Sequence, residues 1–225
     1  MSLSPDAAKL WDKEYVAGRY RDEPPVEFTR DILAAARAAR ARAGIYIGCG
    51  NGRNYLPLLQ EGLDLIGLDI SQTAIQQLRE RLPDHQHRLL HGDLSVLPPA
   101  MTYELVIGIQ VFQHGNRATA HDHVRAARER VASGGLMAIR VNAAQTDVQH
   151  AHEVVERGGA GDGFTVRYQA GPKAGLDVRF FTRQELLDLF GDDFEVVLPV
   201  RPQSTVRQPP ARGQWTQWEG IWRRC

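Results

Sequence analysis

Apolar and polar positions alternate along the first two thirds of the chain in two kinds of block. Short apolar runs, typical of buried strands, occupy residues 45–48, 64–69, 87–91, 103–109 and 136–141. Segments whose apolar residues recur at helical spacing occupy residues 5–17, 24–42, 53–61, 72–82 and 117–131. Strands that alternate with helices through short connections predict an α/β fold with a doubly wound, mostly parallel sheet.

The alternation breaks after residue 142, which predicts an inserted segment. The elements predicted beyond that point are a helix over 144–157, two short strands over 164–170 and 176–181, a helix over 183–190, and final strands over 194–200 and 215–223. Thr182 is placed to cap the helix over 183–190. A Pro-rich connection is expected over 201–213, between the two final strands.

Length and charge narrow the class of protein. The 225 residues suit one domain, and 27 Lys and Arg balance 27 Asp and Glu. Nucleic acids and anionic membranes attract basic surfaces, so the neutral balance predicts neither as a partner. Two widely spaced cysteines, Cys49 and Cys225, and a first segment without signal-peptide character predict a cytoplasmic protein.

One glycine-rich turn follows the first predicted strand and precedes a helix. It reads Gly48-Cys49-Gly50-Asn51-Gly52, and glycines in such a turn let the backbone approach a ligand closely while the helix N-terminus offers N–H donors. A dinucleotide-binding fingerprint needs its third glycine where Arg53 stands. The Gly-x-Gly-x-Gly spacing instead resembles motif I of class I S-adenosylmethionine-dependent methyltransferases. The run GCGNGRN is similar to the small-molecule branch that includes tellurite-resistance and thiopurine methyltransferases.

The resemblance implies a Rossmann-like methyltransferase fold with a seven-stranded sheet and S-adenosylmethionine as cofactor. Asp69, at the end of the second strand, would accept hydrogen bonds from the ribose hydroxyls, or it would cap the next helix. Asp93, after the third strand, would reach the adenine amino group, or it would only form a turn. The full set of implied cofactor residues is Gly48, Cys49, Gly50, Gly52, Asn54, Asp69, Ile70, Asp93, Leu94 and Gln110.

Candidate catalytic residues follow the fourth strand, where Gln110 and His114 would face the methyl group and the acceptor. A neutral imidazole could take a proton from the acceptor or orient it, and the alternative is a histidine that only stabilises its loop. This stretch contains neither the Pro-Pro motif of base-methylating enzymes nor the acidic ligand of catechol-type enzymes. No metal is predicted, because the pairs His121/His123 and His150/His152 have a spacing at which helical side chains diverge.

The acceptor side is expected to come from segments added to the cofactor-binding core. The single domain divides into an N-terminal helical cover (1–43), a cofactor-binding half (44–142), an insertion that covers the substrate (143–181) and a C-terminal helix with strands (182–225). The candidate substrate-binding residues are Tyr15, Tyr20, Arg140, Asn142 and Tyr168. Lys173 and Arg179 are cations of the insertion that could pair with an anionic acceptor or lie on the surface.

The leading hypothesis is a methyltransferase that acts on a small molecule through an O, N or S nucleophile. A nicotinamide-dependent oxidoreductase and a catalytically silent S-adenosylmethionine-binding protein are the alternatives. The sequence leaves the acceptor and the oligomeric state open, and a homodimer is compatible with it.

Overall fold

A computed structural model describes residues 5–159 and 162–225, which form six α-helices and ten strands. The helices are α1 (Pro5–Val16), α2 (Phe28–Ala39), α3 (Tyr55–Gln60), α4 (Gln72–Arg81), α5 (Arg117–Arg128) and α6 (Arg183–Phe190). The strands are β1 (Ala43–Ile47), β2 (Asp64–Asp69), β3 (Leu89–His91), β4 (Tyr103–Ile109), β5 (Val131–Asn142), β6 (His152–Arg157), β7 (Phe164–Tyr168), β8 (Asp177–Phe180), β9 (Phe194–Val206) and β10 (Gln214–Arg224). Within the described residues, no helix has both the length and the apolar character needed to cross a membrane.

The main sheet has seven strands in the order β3-β2-β1-β4-β5-β10-β9. Pairing is parallel from β3 to β5, and β10 runs antiparallel to both of its neighbours. The fold class expected from the sequence is therefore confirmed. The strand order reverses between β1 and β4, and in open α/β sheets the crevice at such a switch point is where ligands bind.

Apolar residues cover both faces of this sheet. On one face α2, α3 and α4 bury Phe28, Tyr55 and Leu78 against the strands. On the other face α5 and α6 pack over the strands, and the ring of Phe190 stacks on Trp222 with 3.8 Å between ring centroids. Burial on both faces explains why the central strands are continuous apolar runs rather than alternating ones.

The insertion forms a second, antiparallel sheet in the order β6-β7-β8, with its own small apolar cluster. The helix predicted over 144–157 is wrong, because β6 pairs with β7 from His152 to Arg157 and the strand hydrogen bonds are made there. The Pro-rich connection is also shorter than expected, since β9 continues to Val206 alongside β10. In both cases pairing with another strand decides the conformation, and local residue spacing does not show that pairing.

A buried ion-pair cluster attaches the insertion to the core. The guanidinium of Arg179, which is fully buried, contacts both carboxylate oxygens of Glu185 at 3.0 and 3.1 Å. Glu185 belongs to α6, and its Oε1 also lies 2.5 Å from Nε2 of His121 in α5. Arg179 is thus a structural cation rather than a surface or acceptor-binding one, because its charge is already paired.

Strand β8 also pairs with the loop that follows β4. The Arg179 backbone N donates to Gln113 O at 2.7 Å, and Gly115 N donates to Asp177 O at 2.8 Å. His114 therefore sits opposite Val178 in a short antiparallel bridge. The insertion holds in place the loop that was predicted to face the acceptor.

Candidate active site

A cleft opens at the carboxyl ends of β1, β2 and β4, where the strand order reverses, and α1 lies across it. Its empty space is about 1310 Å³, a figure that includes solvent at the open mouth. Elements from α1 to the insertion form its wall. The lining residues are Trp11, Tyr15, Tyr20, Tyr46, Ile47, Gly48, Cys49, Gly50, Asn51, Arg53, Asn54, Leu68–Ile70, Gly92–Leu94, Ile109–His114, His123, Ala126 and Lys173.

The glycine turn has the backbone that its sequence demands. Gly48 and Gly50 adopt φ of 71° and 56°, the left-handed region that favours glycine. A Cβ on Gly50 would lie 2.5 Å from the hydroxyl of Tyr15. The backbone N–H groups of Gly48 and Cys49 both donate to Leu68 O, at 2.7 and 2.9 Å, so the turn is fastened to the end of β2.

Asp69 connects that turn to the next helix. Its Oδ2 accepts from Gly50 N and its Oδ1 from Ser71 N, both at 2.8 Å. Burial raises the pKa of this carboxyl to about 6, more than its two backbone hydrogen bonds lower it. The helix cap is Ser71, whose Oγ accepts from Ala74 N at 3.0 Å. Each oxygen of Asp69 uses one of its two acceptor positions, which leaves two for a ligand.

Asp93 stabilises a turn through its carboxylate, and it also lines the cleft. Its Oδ1 accepts from Ser95 N at 2.9 Å and begins a short 3₁₀ helix at Leu94–Val96. The side chain of Ser95 also hydrogen-bonds this carboxylate, and both bonds lower the pKa of Asp93. His123 and Ala126 of α5 line the cleft as well, although His123 was considered in the sequence only for a metal site. His121 is buried. The spacing of three residues puts His123 and Ala126 on one face of α5, and this spacing could have predicted that both line the cleft.

The loop after β4 carries a strained residue and an unpaired one. Gln110 has φ of 60°, unusual for a residue other than glycine, and its N donates to Arg140 O at 2.7 Å. His114 is buried, its ring meets Trp11 edge-on at 5.2 Å, and its Nδ1 has no hydrogen-bond partner. Burial first, and then the charge of Lys173, lower the pKa of His114 to about 3. The imidazole is therefore neutral at pH 7.

Helix α1 is fastened over the cleft by polar contacts with α4. Asp12 Oδ1 accepts from Ser71 Oγ at 2.6 Å and from Thr73 N at 2.9 Å. The side chain of Gln77 donates to Tyr15 O at 3.0 Å. These bonds hold Tyr15 over the glycine turn, and burial raises the pKa of its phenol far above the ordinary value.

Three of the predicted substrate-binding residues do not line the cleft. Arg140 forms a buried ion pair with Glu219, with Nε 2.9 Å from Oε1. Asn142 Oδ1 accepts from Trp215 Nε1 and Gln217 Nε2 of β10. Tyr168 packs in the core of the insertion. The polar groups of Arg140 and Asn142 are used to join β5 to β10, so the structure places only Tyr15 and Tyr20 of the five on the cleft.

The predicted cofactor residues are brought together, except that Gly52 packs behind the turn against Leu56 and Leu78. The Cys49 thiol is buried, and burial raises its pKa well above the ordinary value, with Asp69 adding to the effect. It is therefore a protonated packing group rather than a nucleophile. Over residues 5–159 and 162–225, no group of three or more His, Cys, Asp or Glu could hold a metal ion.

Comparisons with known proteins agree with this geometry. Residues 45–135 match a family model described as a methyltransferase domain. Among solved structures, TehB from Haemophilus influenzae is 18% identical with a TM-score of 0.62, covering 95% of this chain and 67% of TehB. The methyltransferase CcbJ from Streptomyces caelestis is also 18% identical with a TM-score of 0.62, at coverages of 93% and 96%.

A third similar structure was solved with ligands. It is 1,6-didemethyltoxoflavin-N1-methyltransferase from Burkholderia thailandensis, with bound 1,6-didemethyltoxoflavin and S-adenosylhomocysteine. It is 17% identical, has a TM-score of 0.61, and the match covers 99% of this chain and 92% of that one. At these identities the likeness concerns the fold.

Proposed function

We propose that this protein methylates a small-molecule acceptor with S-adenosylmethionine, because residues 45–135 match a methyltransferase-domain model and the fold is that of the similar methyltransferase structures. One observation carries the proposal. The Asp69 carboxylate holds the glycine turn through Gly50 N at 2.8 Å and keeps acceptor positions open inside the cleft.

The residues present fit the cofactor that the family uses. Asp69 would accept from the two ribose hydroxyls, and Asp93, which lines the cleft, would accept from the adenine amino group. Gly48 and Gly50 of the glycine turn line the cleft, where their backbone would face the amino-acid end of the cofactor. When bound, S-adenosylmethionine supplies a methyl group on a positively charged sulfur, an activated donor.

On the acceptor side, His114 can orient rather than deprotonate. Its unpaired Nδ1 can accept a hydrogen bond from an O–H, N–H or S–H group in the cleft. A base whose pKa is about 3 would not keep that proton at pH 7. We therefore expect His114 and Gln110 to align an acceptor that is already nucleophilic at neutral pH, since positioning alone removes much of such a barrier.

Helix α1 and the insertion, which both contribute to the wall of the cleft, favour a small acceptor. Helix α1 and the insertion reach over the cleft from two sides, and Trp11 and Lys173 bring side chains from both onto its wall. We extend the proposal to a cytoplasmic setting, to an acceptor that is not a nucleic acid, and to a homodimer as a compatible assembly. Arg53, at the third glycine position of a nicotinamide fingerprint, donates to Pro24 O and pairs with Glu23, which argues against that alternative.

The test is a screen with methyl-labelled S-adenosylmethionine and panels of thiols, amines, thiopurines and phenols. We expect transfer to at least one panel. His114→Asn should lower kcat/KM by about tenfold to a hundredfold, the range for a lost hydrogen bond to a reacting group, while S-adenosylhomocysteine still binds. His150→Asn, a change on the insertion outside the cleft, serves as the control. A protein that binds S-adenosylhomocysteine but transfers to no panel would contradict the proposal in favour of the silent binder.

A further inference from the structure

Lys173 is a cation at the acceptor end of the cleft. It lies in the turn between β7 and β8, which is closed by Gly175 N donating to Tyr168 O at 2.8 Å and by Leu176 N donating to Lys173 O at 2.9 Å. Its side chain lines the same cleft as His114, and its charge acts on the His114 ring. The insertion thus contributes one charged group to a site that is otherwise built by the core and α1.

That ammonium group has no partner in the part of the chain that the structure describes. Among residues 5–159 and 162–225, no carboxylate lies within 4.0 Å of its nitrogen and no group forms a hydrogen bond with that nitrogen. Glu14, the carboxylate whose charge reaches it, is paired with Arg19 at 2.9 Å. Burial lowers the pKa of Lys173 to about 8, so the group is still mostly charged at pH 7. A partly buried, unpaired charge is unfavourable until an anion joins it.

The other charged groups of the cleft are already engaged or lie at the cofactor end. Arg53 is paired with Glu23 at 2.8 Å. Asp69 and Asp93 belong to the predicted cofactor positions, and His114 is neutral. On the same cleft wall, the ring of Trp11 meets the His114 ring edge-on, with 5.2 Å between ring centroids. The chemistry of this end is therefore one positive charge next to an apolar, aromatic wall.

From this placement we propose that the acceptor carries a carboxylate, which pairs with Lys173 while its apolar body packs against the aromatic wall. The inference rests on the proposed function and adds the substrate class. A single ammonium balances one negative charge, so a carboxylate fits better than a phosphate dianion, which favours several donors or an arginine fork.

The methionine carboxylate of the cofactor is the competing partner for Lys173, and binding measurements separate the two. S-adenosylhomocysteine has that carboxylate and 5′-methylthioadenosine lacks it. The comparison is made by calorimetry with the wild type, Lys173→Met, Lys173→Arg and the matched control Lys13→Met, whose lysine is exposed on α1. We expect all four proteins to bind S-adenosylhomocysteine within about threefold of each other, a difference of less than 1 kcal/mol.

The probes for the acceptor end are benzoate, benzamide and phenyl phosphate, titrated into protein saturated with S-adenosylhomocysteine. We expect benzoate to bind the wild type at least about tenfold more tightly than benzamide, the effect of one charge-assisted contact of some 1.4 kcal/mol. Lys173→Met should remove this preference, whereas Lys173→Arg and Lys13→Met should keep it.

Three results would overturn the proposal. They are equal binding of benzoate and benzamide to the wild type, tighter binding of phenyl phosphate than of benzoate, and a loss of S-adenosylhomocysteine affinity in Lys173→Met that 5′-methylthioadenosine does not show. Absence of S-adenosylhomocysteine binding to the wild type would instead count against the proposed function itself, so the two failures are distinguishable.

Discussion

For Asp69, the sequence predicts the position and the structure adds the hydrogen bonds and the burial. Its position after β2 is visible in the sequence, whereas its two backbone hydrogen bonds and its burial are visible only in the structure. Burial raises its pKa to about 6, and the charges that modify this value are Asp12, which raises it, and His91, which lowers it. The carboxyl is thus ionised at neutral pH and protonated in mild acid.

A pH dependence of cofactor binding follows. The ribose hydroxyls need the ionised carboxylate as acceptor, so the affinity for S-adenosylhomocysteine should fall about tenfold for each pH unit below 6. Calorimetry between pH 5 and pH 8 measures this, with Asp69→Asn as the control that should bind weakly and without this dependence. A wild-type affinity that stays constant down to pH 5 would contradict the assignment.

Folding stability responds to the same carboxyl in the opposite direction. A pKa raised from 3.8 to about 6 means that the folded chain favours the protonated form. The contribution of Asp69 to the stability of the unliganded protein is therefore present at acid pH, and it is lost as pH rises through the folded pKa.

Gly50 allows a second prediction at the residue scale. Gly50→Ala would place a methyl group 2.5 Å from the Tyr15 hydroxyl at φ of 56°, whereas Gly62→Ala has φ of 91° but nothing within 4 Å. Both should lose about 1–2 kcal/mol of stability from the backbone conformation. Only Gly50→Ala should also weaken S-adenosylhomocysteine binding, by at least tenfold. Thermal unfolding and calorimetry check this, and equal ligand affinities in the two variants would contradict it.

Among the elements, α1 is the helix that lies across the cleft. Asp12 Oδ1 accepts hydrogen bonds from Ser71 Oγ and Thr73 N, and these bonds hold α1 over the cleft. Asp12→Ala should free the helix at a cost of about 1–3 kcal/mol. Hydrogen exchange of residues 5–16 should then accelerate about tenfold or more, and S-adenosylhomocysteine should bind more weakly. Lys13→Ala, on the exposed side of the same helix, should change neither quantity. Unchanged exchange in Asp12→Ala would show that other contacts hold the helix.

Elements with a strong local pattern could be predicted from the sequence, and those without one could not. Strands β1, β2 and β4 are apolar runs because both faces of the sheet are covered, and their positions were predicted to within two residues. Strand β6 was predicted as part of a helix, because its polar and apolar residues follow neither period clearly and its pairing with β7 decides its conformation. The role of Arg179 was hidden for a similar reason, since its partner Glu185 belongs to another element.

At the scale of the whole molecule, the two ends of the cleft differ in how far the sequence predicts them. The proposed cofactor end comes from short motifs after β1, β2 and β3, so residues that are adjacent in the sequence are also adjacent in space. The acceptor end joins α1, the loop after β4 and the insertion, which lie far apart in the chain. Position along the chain alone assigns Arg140 and Asn142 to it, but their side chains join β5 to β10.

The central claim is that the glycine turn and Asp69 form the cofactor site, and one titration tests it most directly. S-adenosylhomocysteine is titrated at pH 7.5 into the wild type, Asp69→Ala and Asp64→Ala, the last removing an exposed carboxylate at the opposite end of β2. Loss of two charge-assisted hydrogen bonds should weaken binding to Asp69→Ala by at least about a hundredfold, while Asp64→Ala should match the wild type. No binding to the wild type, or undiminished binding to Asp69→Ala, would contradict the account.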